Sequence, residues 1–265
     1  MTFCLSACSS PPGFPTLTMN EARQRVIVIP AHGLGTRLRD VTGGRAKTMM
    51  EVAGEPILVR LLRAALAGPA AQAGDVQVVV YAGEADAEVP ACAAAHGQGV
   101  QVRRREPMGY LNDLMAIARD VGDEFTVLDS DLVAPHAEVA SFIAGTARHE
   151  RASMLFAVSA SPPSADPRSI RVMADAEGAM GLGDGSDSKL PRAVGAYHWR
   201  PAAVTAGRQF AAEGHGTFHA YMEFLAARRE PVAVLPFTAA LNVNTPAELK
   251  LAGKLVRDWR AQGLE

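Results

Sequence analysis

Residues 26–38 read VIVIPAHGLGTRL, and this stretch decides the fold class of the chain. The run of β-branched residues predicts a buried strand, and the glycines after it predict a turn at the carboxyl end of that strand. Gly33 and Gly35 allow the backbone to approach an anion closely, with the N–H groups of the turn pointing toward it. Arg37 and the later Lys47 supply the positive charge that a triphosphate requires. The stretch therefore predicts a phosphate site at the end of the first strand.

Two well-known phosphate-binding loops are excluded by spacing. A Walker A loop needs a glycine directly before its lysine and another five residues earlier, and this chain has Ala46 and Val41 at those positions. The dinucleotide-binding fingerprint needs a third small residue three positions after Gly35, where Leu38 stands. The phosphate site therefore belongs to neither of these two classes.

Composition limits the class of protein. The chain has 265 residues, of which 48% are hydrophobic and 20% are charged, values that are ordinary for a soluble globular enzyme. The net charge of −2 gives no electrostatic reason to expect a nucleic acid or an acidic membrane as partner. Three cysteines provide neither a disulfide framework nor a metal cage, which fits a cytoplasmic, reducing compartment.

From Arg25 onward, strand-like and helix-like patterns alternate, which predicts a mostly parallel sheet covered by helices. We predict a disordered extension at residues 1–22 and a single domain at residues 23–265. The predicted strands are 25–31, 75–81, 100–104, 124–128, 153–159, 170–174, 193–199 and 231–236. The predicted helices are 56–67, 84–96, 112–121, 136–149, 202–213, 217–228 and 246–262, and the predicted loops include 161–167 and 181–188.

Two polar segments are candidates for chemistry. Residues 125–131 read FTVLDSD, a buried strand that ends in two carboxylates, at the place where open α/β sheets bind ligands. An acidic turn without function remains the alternative. Residues 241–249 read LNVNTPAEL, and here Thr245 and Glu248 predict the capping box of a helix.

The chain resembles the nucleotidyltransferases that activate sugar phosphates and alcohol phosphates. Their signature is a Gly-x-Gly-Thr-Arg-Leu turn, then a Pro-Lys pair, then a small Gly-x-Pro element. This chain carries GLGTRL at 33–38, Ala46 and Lys47 in place of the pair, and GEP at 54–56. The chain is most similar to cytidylyltransferases acting on inositol phosphate or phosphocholine. The resemblance implies a three-layer α/β/α, Rossmann-like (GT-A-like) domain with a mostly parallel central sheet.

The resemblance also implies an activity. A nucleoside monophosphate would pass from a nucleoside triphosphate, with CTP or UTP favoured, to a sugar-phosphate or alcohol-phosphate acceptor, with Mg²⁺ as cofactor and pyrophosphate released. Neither nucleic acid nor membrane is implied as a partner. The implied roles are catalysis for Arg37 and Lys47; nucleotide binding for Ala31, Gly33, Leu34, Gly35, Thr36, Tyr81, Gly109 and Tyr110; metal binding for Asp131, Asn242 and Asn244; and substrate binding for Lys189.

Alternatives stay open at this point. A molybdopterin-type guanylyltransferase shares the terminal Asn-Thr-Pro-Glu-like element, although its glycine loop usually lacks the TRL continuation at 36–38. A non-catalytic nucleotide-binding relative is suggested by Asn242 and Asn244, where relatives commonly carry aspartates. Asn112 and Asp113 equally predict simple caps for the helix at 112–121.

Overall fold

The computed structural model describes residues 24–33, 38, 42–97, 99–161, 170–183 and 190–265. Several sequence predictions lie outside these described residues. They are the extension at 1–22, the phosphate-loop residues Leu34, Gly35, Thr36 and Arg37, most of the loop at 161–167, and the substrate residue Lys189.

Strands and helices alternate along the described part of the chain. The strands are β1 (Arg25–Pro30), β2 (Glu51–Val52), β3 (Glu55–Pro56), β4 (Val76–Ala82), β5 (Val100–Arg104), β6 (Phe125–Leu128), β7 (Leu132–Val133), β8 (Met154–Ser159), β9 (Arg171–Ala174), β10 (Met180–Gly183), β11 (Arg192–Trp199), β12 (Val232–Phe237) and β13 (Leu241–Asn242). The α-helices are α1 (Ile57–Leu66), α2 (Pro69–Gln72), α3 (Glu88–Ala94), α4 (Tyr110–Val121), α5 (His136–Gly145), α6 (Pro201–Ala212), α7 (Phe218–Ala227) and α8 (Pro246–Ala261).

Seven strands form the central sheet, in the order β12-β8-β11-β6-β1-β4-β5. β1 runs parallel to both of its neighbours, β4 and β6. β4 is parallel to β5, and β8 is parallel to β12. In this sheet β11 alone reverses direction, since it is antiparallel to β6 and to β8. The prediction of a mostly parallel sheet is confirmed.

Helices cover both faces of the sheet because its strands are apolar on both sides. In β1, Ile27 and Ile29 point to one face and Val28 points to the other, as the alternation of side chains along a strand requires. One face packs against α1, α3, α5 and α8. The opposite face packs against α4, α6 and α7. The architecture is therefore the predicted three-layer α/β/α sandwich, and none of the described helices is long and apolar enough to cross a bilayer.

The predicted helix at 84–96 is shorter in the structure. α3 begins only at Glu88, because the carboxylate of Asp86 accepts hydrogen bonds from the backbone N–H groups of Glu88 (2.9 Å) and Val89 (3.1 Å). The preceding loop is held by Arg104, whose guanidinium donates to the carbonyl oxygens of residues 83, 84 and 86. The basic run at 103–105 is thus used in part to fix this loop.

The predicted loop at 181–188 was wrong at its start. Residues 181–183 belong to β10, which pairs antiparallel with β9, with Met180 opposite Ala174. The hairpin turn is closed by the carboxylate of Asp175, which accepts from the N–H of Ala179 at 2.7 Å. The glycines at 181 and 183 indicate a loop when the sequence is considered alone, but pairing with β9 makes residues 181–183 part of a strand.

Candidate nucleotide and metal site

Two of the predicted functional segments end at the same edge of the sheet. β1 and β6 are parallel neighbours with Ile27 opposite Thr126, so their carboxyl ends lie side by side. The chain continues from β1 into Ala31 and Gly33, and from β6 into the DSD turn at 129–131. β1 is also the strand at which the order of the sheet reverses, with β4 on one side and β6 on the other. Ligands of open α/β sheets bind in the crevice at such a point.

Lys47, Asp131 and Asn244 meet at this edge. The ammonium group of Lys47 forms an ion pair with the carboxylate of Asp131 and donates a hydrogen bond to Oδ1 of Asn244 at 2.9 Å. The side chains of Lys47 and Asp131 are 14% and 16% exposed, so the pair is largely buried but still reachable from solvent. A short 3₁₀ helix at Lys47–Met49 anchors the lysine by burying the two residues after it.

Asn242 supports Asp131 from the other side. Its Oδ1 accepts a hydrogen bond from the backbone N–H of Gly195 at 3.1 Å, and its Nδ2 donates to Oδ1 of Asp131 at 2.5 Å. A backbone N–H can only donate, so the bond to Gly195 orients the amide with its nitrogen toward Asp131. The short strand pair of β13 and β7 places Asn242 beside Leu132 and makes this contact possible.

Asp129 lies deeper than Asp131 and is held by two phenols. Its carboxylate accepts hydrogen bonds from the hydroxyls of Tyr110 and Tyr197. Burial, followed by the negative charge of Asp131, raises the pKa of Asp129 to about 7, although these hydroxyls and Lys47 act in the opposite direction. Burial likewise raises the pKa of Tyr110 and Tyr197 well above the usual value. Asp129 is therefore the carboxylate bound by tyrosine hydroxyls in this arrangement, and Asp131 is the one bound by Lys47 and Asn242.

Gly195 is a site residue that the sequence analysis missed. Its carbonyl oxygen accepts from the N–H of Asp129 at 2.6 Å. A Cβ at this position would lie 2.6 Å from Cβ of Asp129 and 2.7 Å from Nδ2 of Asn242, closer than real side chains approach. Glycine is therefore required by its neighbours. The signal in the sequence is a glycine inside the strand RAVGAYHW at 192–199, which often marks a close approach to the backbone.

The turn with the predicted nucleotide-binding residues Gly109 and Tyr110 is also at this edge. Gly109 adopts a φ of +95°, a conformation that favours glycine, and accepts the backbone hydrogen bond from Asp113 that opens α4. Tyr110, the first residue of α4, reaches Asp129. The structure therefore brings Gly109 and Tyr110 next to the carboxylates of the DSD turn.

Tyr81 is placed differently from the expectation that it lines a nucleotide pocket. Its side chain is fully buried and belongs to the core beneath α4. Its hydroxyl contacts Asp120 at 3.2 Å, and Arg105 stacks over its ring. Its backbone carbonyl oxygen accepts from the N–H of Ala31 at 2.8 Å, and its ring packs edge-on against His32 with the ring centroids 6.4 Å apart. The ring offers no surface to a nucleotide in this structure.

The predicted capping box is present and shares a residue with the site. Thr245 Oγ1 accepts from the N–H of Glu248 at 3.2 Å at the start of α8. The carboxylate of Glu248 accepts in return from the N–H of Asn244 at 2.8 Å. The cap therefore fixes the backbone of the residue whose side chain binds Lys47.

The residues at this edge fit a magnesium ion through Asp131. Among the described residues no group of three or more His, Cys, Asp or Glu side chains forms a metal cage. Magnesium is typically held by one or two carboxylates together with the phosphates of a substrate, which a single accessible carboxylate satisfies. The amide oxygens of Asn242 and Asn244 already accept hydrogen bonds from Gly195 and Lys47. The asparagines thus orient Asp131 and Lys47 in this structure, and their role as metal ligands stays a prediction.

Comparison with known proteins identifies solved structures that share the fold of this chain. No protein-family model and no curated protein sequence matches this chain. Among solved structures, the inositol-1-phosphate CTP transferase from T. maritima superimposes with a TM-score of 0.66 at 16% identity, covering 88% of this chain and 97% of that one.

Two further solved structures agree. A putative glucose-1-phosphate thymidylyltransferase from Bacillus anthracis, in complex with a sucrose, gives a TM-score of 0.68 at 14% identity, with 88% and 95% coverage. The CMP:2-keto-3-deoxy-manno-octonic acid synthetase complexed with CTP gives 0.63 at 18% identity, with 89% and 99% coverage. The chain therefore has the fold of these nucleotidyltransferases over nearly its whole length.

Proposed function

We propose that this chain is a magnesium-dependent nucleotidyltransferase. It transfers a nucleoside monophosphate from a nucleoside triphosphate, with CTP or UTP favoured, to a sugar-phosphate or alcohol-phosphate acceptor. The observation that carries the proposal is the meeting of Lys47 and Asp131 at the joint carboxyl end of β1 and β6. Both residues come from motifs that resemble this enzyme class, and the solved structures with the same fold include transferases named for CTP and for hexose phosphates.

The reaction needs charge neutralisation more than it needs a base. An oxygen of the acceptor phosphate forms a bond to the α-phosphorus, and the bond from that phosphorus to the bridging oxygen of the β-phosphate breaks. The electron pair leaves with pyrophosphate. Because the nucleophile is already an anion, the protein has to position the two substrates and stabilise the negative charge that moves to the leaving group.

Lys47 is the described residue best placed for that task. Its ammonium group is held by Asp131 and Asn244, both of which point it toward the edge where the glycine-rich segment begins. A triphosphate would compete with Asp131 for this ammonium, and charge-assisted hydrogen bonds to phosphate are strong enough to do so. Magnesium bound by Asp131 would supply further positive charge to the phosphates. Asn242 would keep the carboxylate oriented in both states through its bond to Gly195.

A two-part experiment tests the proposal. Thermal unfolding is measured with Mg²⁺ and each of CTP, UTP, dTTP, GTP and ATP, since a ligand at about 100 times its dissociation constant stabilises a protein by about 2.7 kcal/mol. Pyrophosphate release is then measured with each triphosphate and a panel of sugar phosphates and alcohol phosphates. Pyrophosphate release with GTP alone would favour the guanylyltransferase alternative. Binding of a triphosphate without pyrophosphate release, whichever acceptor is added, would favour a non-catalytic relative.

Lys47→Ala is the decisive variant. It removes a charge-assisted contact worth about 1.5–3 kcal/mol, so we expect pyrophosphate release to fall by about 10-fold to 100-fold or more while the fold is retained. Lys254→Ala, an exposed lysine on α8, is the matched control and should keep full activity. Turnover of Lys47→Ala at the wild-type rate with saturating substrates would refute the assignment of the phosphate site.

A further inference from the structure

A second pair of buried polar side chains lies at the same edge of the sheet, between the segment after β1 and the first turn of α4. His32 follows β1 directly, and its Nε2 is 3.2 Å from Oδ2 of Asp113, in the first turn of α4. The two side chains are 3% and 9% exposed. The other ring nitrogen of His32 is buried and has no hydrogen-bond partner within the described part of the chain. Asp113 is thus the polar partner that the described structure offers to this ring.

The carboxylate of Asp113 contacts a second segment of the chain in addition to His32. Its Oδ1 accepts a hydrogen bond from the backbone N–H of Met108 at 2.9 Å. Its own N–H donates to the carbonyl oxygen of Gly109 at 2.8 Å. One carboxylate therefore joins the start of the glycine-rich segment to the turn at 108–110. The sequence analysis offered Asp113 as a simple cap for a helix at 112–121, but α4 begins at Tyr110 with Gly109 at its N-cap and has no side-chain cap there. The side chain of Asp113 instead joins Met108 to His32, in the segment after β1.

We propose that His32 and Asp113 form a positioning pair that sets the distance between the glycine-rich segment and the turn at 108–110. The proposal rests on the proposed function, in which both segments face the nucleotide. The pair contributes no group to the transfer itself, because the proposed function assigns the phosphates to Lys47 and the metal to Asp131. Its loss should therefore weaken binding of the triphosphate and leave the rate at saturation almost unchanged.

Substitutions of Asp113 can distinguish a positioning role of the pair from a role of its carboxylate charge. Asparagine at position 113 can accept from the N–H of Met108 with its oxygen and donate to Nε2 of His32 with its nitrogen, if the histidine proton moves to the other ring nitrogen. Asp113→Asn therefore keeps both links without the carboxylate charge. Asp113→Ala removes both links, and His32→Ala removes only the link to β1.

The experiment measures the dissociation constants of CTP, UTP, dTTP, GTP and ATP with Mg²⁺ by titration calorimetry, together with KM and kcat for the triphosphate that turns over. For the triphosphates that wild type binds, we expect His32→Ala and Asp113→Ala each to raise the dissociation constant about tenfold or more, with kcat within about twofold. The double variant should be little weaker than Asp113→Ala, because the two residues act through one contact. Asp113→Asn should restore binding to within about threefold of wild type.

Asn112→Ala is the matched control, because Asn112 lies beside Asp113 but its amide makes only a 3.4 Å, exposed contact to the carbonyl oxygen of Met108. It should bind like wild type. Unchanged affinity in His32→Ala and Asp113→Ala, or effects of the two that add in full, would overturn the positioning pair while leaving the proposed function intact.

A measurement without nucleotide separates the two proposals. Amide hydrogen exchange at residues 108–110 should accelerate in His32→Ala, although this substitution is on another element, because the turn is held through Asp113. If wild type binds none of the triphosphates, the proposed function fails. The positioning pair is then tested by the amide exchange rates alone, and unchanged exchange at residues 108–110 in His32→Ala overturns the link between the two segments.

Discussion

The strictest steric requirement near the proposed site falls on Gly195, and we expect Gly195→Ala to damage both stability and the site. Gly195 lies where the pairing of β11 with β8 shifts register between Ala193 and Tyr197. Its backbone is held instead by Asp129, whose N–H donates to its carbonyl oxygen, and by Asn242, whose side chain accepts from its N–H. A Cβ at this position would lie 2.6 Å from Cβ of Asp129 and 2.7 Å from Nδ2 of Asn242. One of these neighbours has to shift.

The size of the effect follows from which neighbour shifts. Forcing an extra carbon into a packed site costs about 1–3 kcal/mol. If Asn242 moves instead, it loses its bonds to Gly195 and Asp131, each worth about 0.5–1.5 kcal/mol. Either route predicts a free energy of unfolding lower by about 1–3 kcal/mol. The second route also releases Asp131 from its support and should raise the Mg²⁺ concentration that gives half-maximal pyrophosphate release.

The assay is urea unfolding of wild type, Gly195→Ala and Gly181→Ala, with a Mg²⁺ titration of activity. Gly181 is the matched control, since it also lies in a strand and its added Cβ would be 4.0 Å from Cε of Met173, an ordinary contact. Its free energy of unfolding should stay within about 0.5 kcal/mol of wild type. If Gly195→Ala has the wild-type free energy of unfolding and the wild-type Mg²⁺ midpoint, the packing of Asp129 and Asn242 against Gly195 is refuted.

Three further predictions concern charge. Asp131→Asn should raise the Mg²⁺ concentration for half-maximal rate far more than Asp129→Asn, because a bound triphosphate would draw Lys47 away from Asp131 and free that carboxylate, whereas the tyrosine hydroxyls would stay on Asp129; equal midpoints would contradict this. Glu265→Ala should lower the free energy of unfolding by about 1–3 kcal/mol in urea, because it removes the carboxylate that binds the buried guanidinium of Arg60 at 2.6 and 2.7 Å and leaves it Glu55 at 3.7 Å; an unchanged free energy would show that Glu55 compensates the charge by itself. Burial lowers the pKa of His198 from 6.5 to about 3, so between these pH values the unfolded chain binds more protons than the folded one, and stability falls as the pH drops. His198→Gln should flatten the dependence of the unfolding free energy on pH in that window. An unchanged slope would place the acid sensitivity at another group.

Local sequence patterns were enough to predict the layers of the fold and the edge of the sheet that carries the proposed site. The β-branched run before the glycines at 33 and 35 predicted β1 correctly, and the strand before the DSD turn was equally recognisable. These are local patterns, because side-chain alternation, turn residues and helix caps act over a few positions. Parallel strands end at one edge, so the glycine-rich turn after β1 and the DSD turn after β6 could be expected near each other before any distance was known.

The tertiary structure alone decided how those residues are held. Lys47 and Asp131 are 84 positions apart in the sequence, and their contact depends on a path that local patterns do not specify. The orientation of Asn242 depends on a backbone N–H of β11, and the need for glycine at 195 depends on Asp129 and Asn242 crowding its Cα. The burial of the Tyr81 ring is likewise set by the helix packed over it. Such requirements come from neighbours that are distant in the chain, so they become visible only when the strands are paired.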